Sequence, residues 1–327
     1  MRISIAYVTS RREPMFRWFV ESLILQYPDG RVTDEVIFVD AWLEYSTTRR
    51  AELAAIVAGR FDYIHTPPKP SIWRGKHRKT KRNFYDSSGS KNTAFVVMGT
   101  QHCVLMDDLS YLLPGWLDYH RHAAEMGWIF SGRYIKGVNL KFAGNELRSW
   151  DVRFPDCRAD HQTDAAKPIH SCGGWVFGSN TGIPLRAIIE TGGKDEFLAR
   201  AGGEDCDWGV RLENAGWRDL MRYDSRCAYV EDELLHYTGP NEVDSFYSLR
   251  AFKSAVETEH NRERFDAIRK WIEAETHPRL YQQKLSKPRD PHFNLEAERE
   301  LYRKTGGFKS VDHIQWTDPD GQDISDI

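Results

Sequence analysis

Apolar residues come in short blocks along the first half of this chain, and the blocks alternate between two spacings. Ile3–Val8, Glu35–Asp40 and His102–Met106 are nearly continuous apolar runs, the pattern of strands covered on both faces. Within Phe16–Tyr27, the residues Phe16, Phe19, Val20, Leu23 and Ile24 recur at helical spacing and predict an amphipathic helix. Arg49–Gly59 reads as a second helix, Phe61–His65 as a strand, Thr93–Met98 as the end of a helix and Trp128–Tyr134 as a further strand. Strands alternating with helices predict an α/β fold with a mostly parallel central sheet and helices on both faces. Ligands of such sheets bind at the carboxyl ends of the strands. Thr9, Ser10 and Arg11 follow the first strand, Asp40 ends the second, and Asp107-Asp108 follow His102–Met106. All of them are therefore expected at that end.

The pattern weakens further along. Residues 137–168 are polar and irregular and predict a long loop or insertion near the site, and 173–177 (Gly-Gly-Trp-Val-Phe) read as a strand bearing a glycine pair. In Val243–Glu275, the spacing of Phe246, Leu249, Phe252, Val256, Phe265, Ile268 and Ile272 predicts two helices. Beyond Pro278 come Pro288, Pro291, Gly306-Gly307 and the acids Asp318, Asp320, Asp323 and Asp326, which predict a loosely packed or partly disordered tail.

Composition narrows the class. The 327 residues, 40% hydrophobic and 13% aromatic, suit one large packed domain with an appendage. A net charge of −3 gives no global attraction to nucleic acid. Five cysteines without Cys-x-x-Cys spacing argue against a zinc knuckle or a disulfide framework. No apolar run approaches the ~20 residues of a membrane span, and Met1–Ile5 lacks a signal-peptide core. A soluble, cytoplasmic protein is the expectation.

The densest chemistry is Gly202-Gly203-Glu204-Asp205-Cys206-Asp207-Trp208, running into Gly209-Val210-Arg211-Leu212. A glycine pair lets the backbone turn sharply. Acids in the first turn of a helix are stabilised by the positive end of its dipole. The plainer reading of this segment is an acidic helix cap. A second cluster, Lys69–Arg82, packs Arg74, Lys76, Arg78 and Lys79 around Trp73. Its readings are a loop closing over a ligand, a grip on a polyanion such as DNA, or a solvated basic loop.

Gly203–Trp217 resembles the signature of the GT-A glycosyltransferases, most nearly the family-2 type. Those enzymes carry Gly-Gly-Glu-Asp-x-(Asp/Glu)-(aromatic or Leu)-x-x-Arg-Leu and then an Ala-Gly-aromatic turn. Gly178–Arg186 and Thr191–Phe197 resemble the acceptor-side strand, helix and Gly-Gly-x-Asp-Glu-x-Phe turn of the same family. The likeness spans roughly Ile3 to Tyr237, is most specific over Gly173–Trp217, and is absent beyond Thr238.

The resemblance implies a GT-A catalytic domain over residues 1–240. Its nucleotide-binding half would be about 1–116 and its acceptor-binding half about 117–240, with a helical C-terminal extension and acidic tail over 241–327. It implies an inverting, metal-dependent hexosyl- or pentosyltransferase that uses a nucleoside-diphosphate sugar, with uridine the commonest base. Asp205 would be the general base, and Glu204 a partner for a sugar or acceptor hydroxyl. Asp40 would hold the uracil or ribose, with Thr9, Ser10 and Arg11 lining the same pocket. Lys91 and Asp107 would meet the nucleotide or its diphosphate. Asp108 and His236 would bind Mn²⁺ or Mg²⁺, although Leu109 stands where the family's Asp-x-Asp has its second acid. Gly173, Gly174 and the flat face of Trp208 would contact sugar or acceptor, core packing being the competing reading for Trp208. Two alternatives stay open: transfer to hydroxymethylated bases in DNA, gripped by the basic run, and a non-catalytic carbohydrate- or nucleic-acid-binding module. A sugar nucleotidyltransferase is disfavoured, because Ala6–Arg11 lacks the glycines of its phosphate loop.

Overall fold

The computed structural model describes residues 1–11, 13–43, 46–69, 87–196, 204–238 and 294–308. Among these, β1 (Ser4–Thr9), β2 (Glu35–Asp40), β3 (Tyr63–Thr66) and β4 (His102–Asp107) alternate with α1 (Phe16–Ile24), α2 (Arg49–Val57) and α3 (Ser87–Val97). Next come β5 (Ser110–Leu112), α4 (Trp116–Glu125), β6 (Ile129–Ala143), β7 (Glu146–Phe154), β8 (Ile169–His170) and β9 (Thr181–Pro184). The remainder is α5 (Leu185–Thr191), α6 (Glu204–Leu212), β10 (Met221–Asp232), α7 (Glu233–Thr238) and α8 (Leu295–Thr305).

The strands form one sheet in the order β3-β2-β1-β4-β9-β6-β10-β5, with β7 paired to β6 and β8 to β10. Period-two alternation divides the strands between two cores. Ile5, Tyr7, Val36, Phe38, Val104 and Met106 pack with Phe16, Phe19, Val20 and Leu23 of α1 on one face. Ala6, Val8, Ile37, Val39, Cys103 and Leu105 pack with Ala94, Phe95, Ile188, Trp208 and Leu212 on the other. Burial on both faces is why these strands read as continuous apolar runs.

β3-β2-β1-β4 are parallel, as expected, and so are β6 and β10. The expectation of a mostly parallel sheet fails elsewhere: β9 runs antiparallel between β4 and β6, and β5, β7 and β8 are antiparallel to their neighbours. The order reverses at β1, with β2 on one side and β4 on the other. That is the topological switch point where open α/β sheets form a crevice.

Three further expectations are corrected. The loop expected from residue 137 is instead the second half of β6, paired with β7 in a long hairpin. Much of this arm is exposed, so both strand faces carry polar residues and the alternation is lost. Residues 173–175 form a 3₁₀ turn, not a strand. A Cβ on Gly173 would strike the backbone of Gly209, so the turn lies flat against α6. The tail beyond Pro278 includes α8, which packs against α3 through Leu295. Asn294 caps its first turn by accepting from the Ala297 amide at 3.1 Å, and Gly306 ends it in the left-handed region at φ +69°. Arg299 donates to the Phe95 and Met98 carbonyls at the end of α3. The two helices expected over Val243–Glu275, the acidic tail residues from Asp318 on, and Gly202-Gly203 lie outside the described residues.

Candidate active site

The switch point lies at the tips of β1 and β4. Thr9 Oγ1 donates to Asp108 Oδ2 at 2.8 Å and Arg11 Nε to Asp108 Oδ1 at 2.8 Å. Arg11 also reaches the Leu235 carbonyl at 3.3 Å, so one guanidinium ties the first strand, the acid pair and α7 together. Ser10 is buried beside it. Leu109 has φ +59° and a buried side chain, and its amide donates to the Tyr7 hydroxyl at 3.1 Å. The Asp-Asp-Leu departure has a physical reason here: the third side chain of the turn faces the core.

Asp40 is placed otherwise than the sequence suggests. It is fully buried. It accepts from Arg49 Nε at 2.7 Å and from the Trp42 amide at 2.9 Å, and it pairs with His65 Nε2 at 3.1 Å. Arg49 continues to the Arg11 carbonyl at 2.6 Å. Asp40 thus braces the ends of β1 and β2 and presents no open oxygen to a base or ribose.

Beside the switch point the acid–lysine cluster converges. Lys91 of α3 is buried, with its ammonium 3.5 Å from Asp107 Oδ1. A Cβ on Gly178 would overlap that ammonium and stand 2.9 Å from Asp205 Oδ1, so Lys91, Asp205 and Gly178 occupy one small volume. Asp205 accepts from the Gly178 amide at 2.8 Å through Oδ2 and is bound by Lys194 through Oδ1. The Lys194 side chain is completely buried and stands over the Trp208 ring.

Lys194 is aimed by its turn. The Gly193 φ of +76° suits a residue without a side chain, and a Cβ there would strike Asn92. Asn92 receives the Lys194 amide at 2.8 Å and donates to the Lys194 carbonyl at 2.8 Å and to Glu196 at 2.9 Å. Glu196 in turn pairs with Lys69 at 2.7 Å. From α6, Arg211 donates to Asp207 and to the Thr191 and Gly193 carbonyls, which fixes the acidic helix to the same turn.

The carboxylates are pushed apart electrostatically. Burial raises the Asp107 carboxyl above the usual range, against the pull of Lys91. Burial and the neighbouring Asp205 charge raise Glu204. Burial also pushes Asp205 up, but the Lys194 and Lys91 charges and the bonds from Lys194 and Gly178 outweigh it and hold that carboxyl low. Burial lowers the Lys194 ammonium, with Asp205 opposing. Asp205 is therefore a fixed anion, and Glu204 the more readily protonated neighbour.

Of the residues expected at the site, Thr9, Ser10, Arg11, Lys91, Asp107, Asp108, Glu204 and Asp205 lie at this end of the sheet. Trp208 does not: it is a core side chain, packed on Phe95 at 5.2 Å between ring centroids and donating to Thr191 Oγ1 at 2.9 Å. Gly173 is consumed by its close approach to α6, while Gly174 is exposed. His236 belongs to α7, with its side chain outside the description, and Arg74, Lys76, Arg78 and Lys79 lie outside the described residues. Sequence reasoning missed Lys194, Gly178 and Asn92. The turn and strand that carry them were visible as motifs, but nothing in their spacing shows that they converge on α6.

Asp108 and Asp205 suit a divalent cation poorly, because each already serves donors of the chain. Both Asp108 oxygens are taken, by Thr9 and Arg11, and both Asp205 oxygens, by Lys194 and Gly178. Among the described residues, no three His, Cys, Asp or Glu side chains group as ligands for one ion.

No family model and no curated protein matches this chain. Solved structures of S. aureus TarS are similar to it at low level. One TarS structure has 14% identity and a TM-score of 0.47, covering 86% of this chain and 44% of that one. This chain thus spans less than half of that TarS chain. TarS 1-349 in complex with UDP has 15% identity and a TM-score of 0.47, covering 86% and 72%. TarS 1-349 alone has 12% identity and a TM-score of 0.46, covering 95% and 93%. Likeness at that level leaves the chemistry of this chain to its own side chains.

Proposed function

We propose that this chain transfers a sugar from a nucleoside-diphosphate sugar to a hydroxyl acceptor. The supporting observation is the meeting of Asp107 and Asp205 over Lys91, beside the switch point. A donor lying across the tips of β1 and β4 would set its diphosphate near Asp107 and Lys91 and its anomeric carbon toward α6. The family-2 resemblance favours uridine as the base and inversion as the stereochemical course.

In the reaction the acceptor oxygen bonds to the anomeric carbon as the bond from that carbon to the diphosphate oxygen breaks. The electron pair leaves with the diphosphate, and the acceptor proton passes to Asp205. A carboxylate held ionised is a weak base toward a free alcohol. It suffices once the attacking oxygen shares its electrons with the anomeric carbon and its proton has become acidic. Gly178 N–H and Lys194 orient Asp205, and each oxygen keeps a lone pair beyond the bond it accepts. Glu204, with its raised carboxyl, is suited to hold a sugar or acceptor hydroxyl.

Asp205→Asn is expected to keep donor binding and to lose turnover by about 10²–10⁴-fold, the usual contribution of a positioned base. Turnover by Asp205→Asn at the wild-type rate would overturn the assignment. Loss confined to Glu204→Gln would exchange the two roles. A binding module without catalysis would leave donor intact in every variant and in the wild type.

The basic run Lys69–Arg82 favours one acceptor class, hydroxymethylated bases in DNA, since clustered Lys and Arg neutralise phosphates. Salt-sensitive DNA retention on filters, lost when Arg74, Lys76, Arg78 and Lys79 are neutralised together, is the expected result. No salt-sensitive retention, and no change on neutralising the four, would remove DNA from consideration.

A further inference from the structure

We propose that Lys91, not a divalent metal ion, supplies the positive charge at the diphosphate end of this site. This rests on the sugar-transfer reading above and names how that site meets its leaving group. Departure of a nucleoside diphosphate leaves negative charge on phosphate oxygens, and a preorganised cation stabilises it most where water is excluded. Mg²⁺ and Mn²⁺ do so when carboxylate oxygens are open to them, usually beside retained waters and the phosphates themselves.

Here the acids are already matched by cations of the chain. Asp108 carries Arg11 and Thr9, and both Arg11 and Asp108 are buried. Recruiting Asp108 to a metal would strip a buried guanidinium of its carboxylate, a loss that is severe for any buried pair. Recruiting Asp205 would displace Lys194, whose ammonium is fully enclosed. Asp107 is the most exposed of the three, with a third of its side chain open, and Lys91 stands 3.5 Å from it. A dication bound there would be pressed against the Lys91 charge, which already draws the Asp107 carboxyl down against burial and the charges of Glu231, Asp205 and Asp108.

The same packing keeps Lys91 in place. Gly178 leaves the space its ammonium fills. Asn92, the next residue of α3, locks that helix to the Gly193-Lys194 turn. Lys91 acts on Asp107, Glu204 and Asp205 at once, so its charge is central to the cluster. Lys194 is the positioning residue: it compensates Asp205.

The test is calorimetric titration of the full chain with UDP, with ADP, GDP and CDP as further arms, each in EDTA and in excess Mn²⁺. The expected result is binding of at least one nucleotide in EDTA, tightened less than about tenfold by Mn²⁺. Tightening of about tenfold or more, or binding only with Mn²⁺, overturns the inference and leaves the sugar-transfer reading intact. Binding of no nucleotide in any arm overturns that reading and this inference with it.

A second readout uses Lys91→Met with uridine and UDP. The wild type should prefer UDP to uridine, and the variant should lose most of that preference while still binding uridine. A variant that keeps the wild-type preference overturns the inference. So does a variant that loses uridine and UDP in equal proportion while its thermal transition is unchanged. If Lys91→Met does not fold, the EDTA and Mn²⁺ arms on the wild type decide alone.

Discussion

Gly178 carries no side chain because the place of its Cβ is taken by the Lys91 ammonium and approached by both oxygens of Asp205. Gly178→Ala is therefore expected to fold while moving Lys91 or Asp205 by a fraction of an ångström to an ångström. A displacement of that size at a reacting centre lowers turnover by about 100-fold. Steady-state rates beside a thermal melt check this, and a wild-type rate would show that the two side chains are not held as described. Asp40 is the opposite kind of residue. Read as a nucleotide contact, it is found spent on Arg49, His65 and the Trp42 amide. Asp40→Ala should cost about 3–5 kcal/mol of stability, as expected when one partner of a buried pair is removed. Donor affinity should change little in whatever remains folded. Urea denaturation and nucleotide titration separate the two effects, and lost affinity without lost stability would restore the ligand role. A strand-end acid looks the same in sequence whether it faces solvent or a guanidinium nine residues later, so this distinction was not legible.

The elements show where periodicity informs and where it fails. α1, β1, β2 and β4 follow their spacing closely, because each buries a continuous stripe or both faces. The residues of β7 read as loop, because an exposed hairpin arm has no reason to alternate. α8 was read as part of a loose tail, because prolines and glycines flank it, yet its contacts with α3 are specific. Arg299 serves the last-turn carbonyls of α3, the helix that bears Lys91 and Asn92. Arg299→Met should leave those carbonyls without their donor and cost about 1–3 kcal/mol. A midpoint shift in chemical denaturation measures it. An unshifted midpoint would show that the Arg299 bonds add nothing to α3.

For the whole molecule, pH should act through two histidines far from the proposed chemistry. His102 begins β4 and His120 lies on α4, close together across Gly182, where a Cβ would stand 2.7 Å from His102 Nε2 and 3.0 Å from His120 Nδ1. Burial pushes His102 down to about 3. Burial pushes His120 down to about 4, only partly offset by its bond to Asn180. Both are neutral when folded at neutral pH, and both take up a proton on unfolding once the pH is below the unfolded value near 6.5. Stability is thus complete above that pH and falls as the pH drops toward 4 and then 3, by about 1.4 kcal/mol per pH unit for each histidine. His102→Met should remove about half of the slope due to this pair between pH 6 and pH 4.5, as read from denaturation midpoints. An unchanged slope would show that His102 is not the proton acceptor. Among the described residues neither ring nitrogen of His102 has a hydrogen-bond partner, so the apolar replacement should cost little at neutral pH.

The sequence by itself determined the strand-and-helix alternation, the strand-end positions of Thr9, Arg11 and Asp107-Asp108, and the acidic start of α6. Each of these rests on short-range spacing and on the chemistry of adjacent residues. Only the tertiary structure decided which cation each acid meets: Asp40 meets Arg49, Asp108 Arg11, Asp205 Lys194 and Asp107 Lys91. Those partners lie between nine and about a hundred positions away along the chain. The free energy of pairing a charge depends on distance and burial in space, which no local pattern encodes.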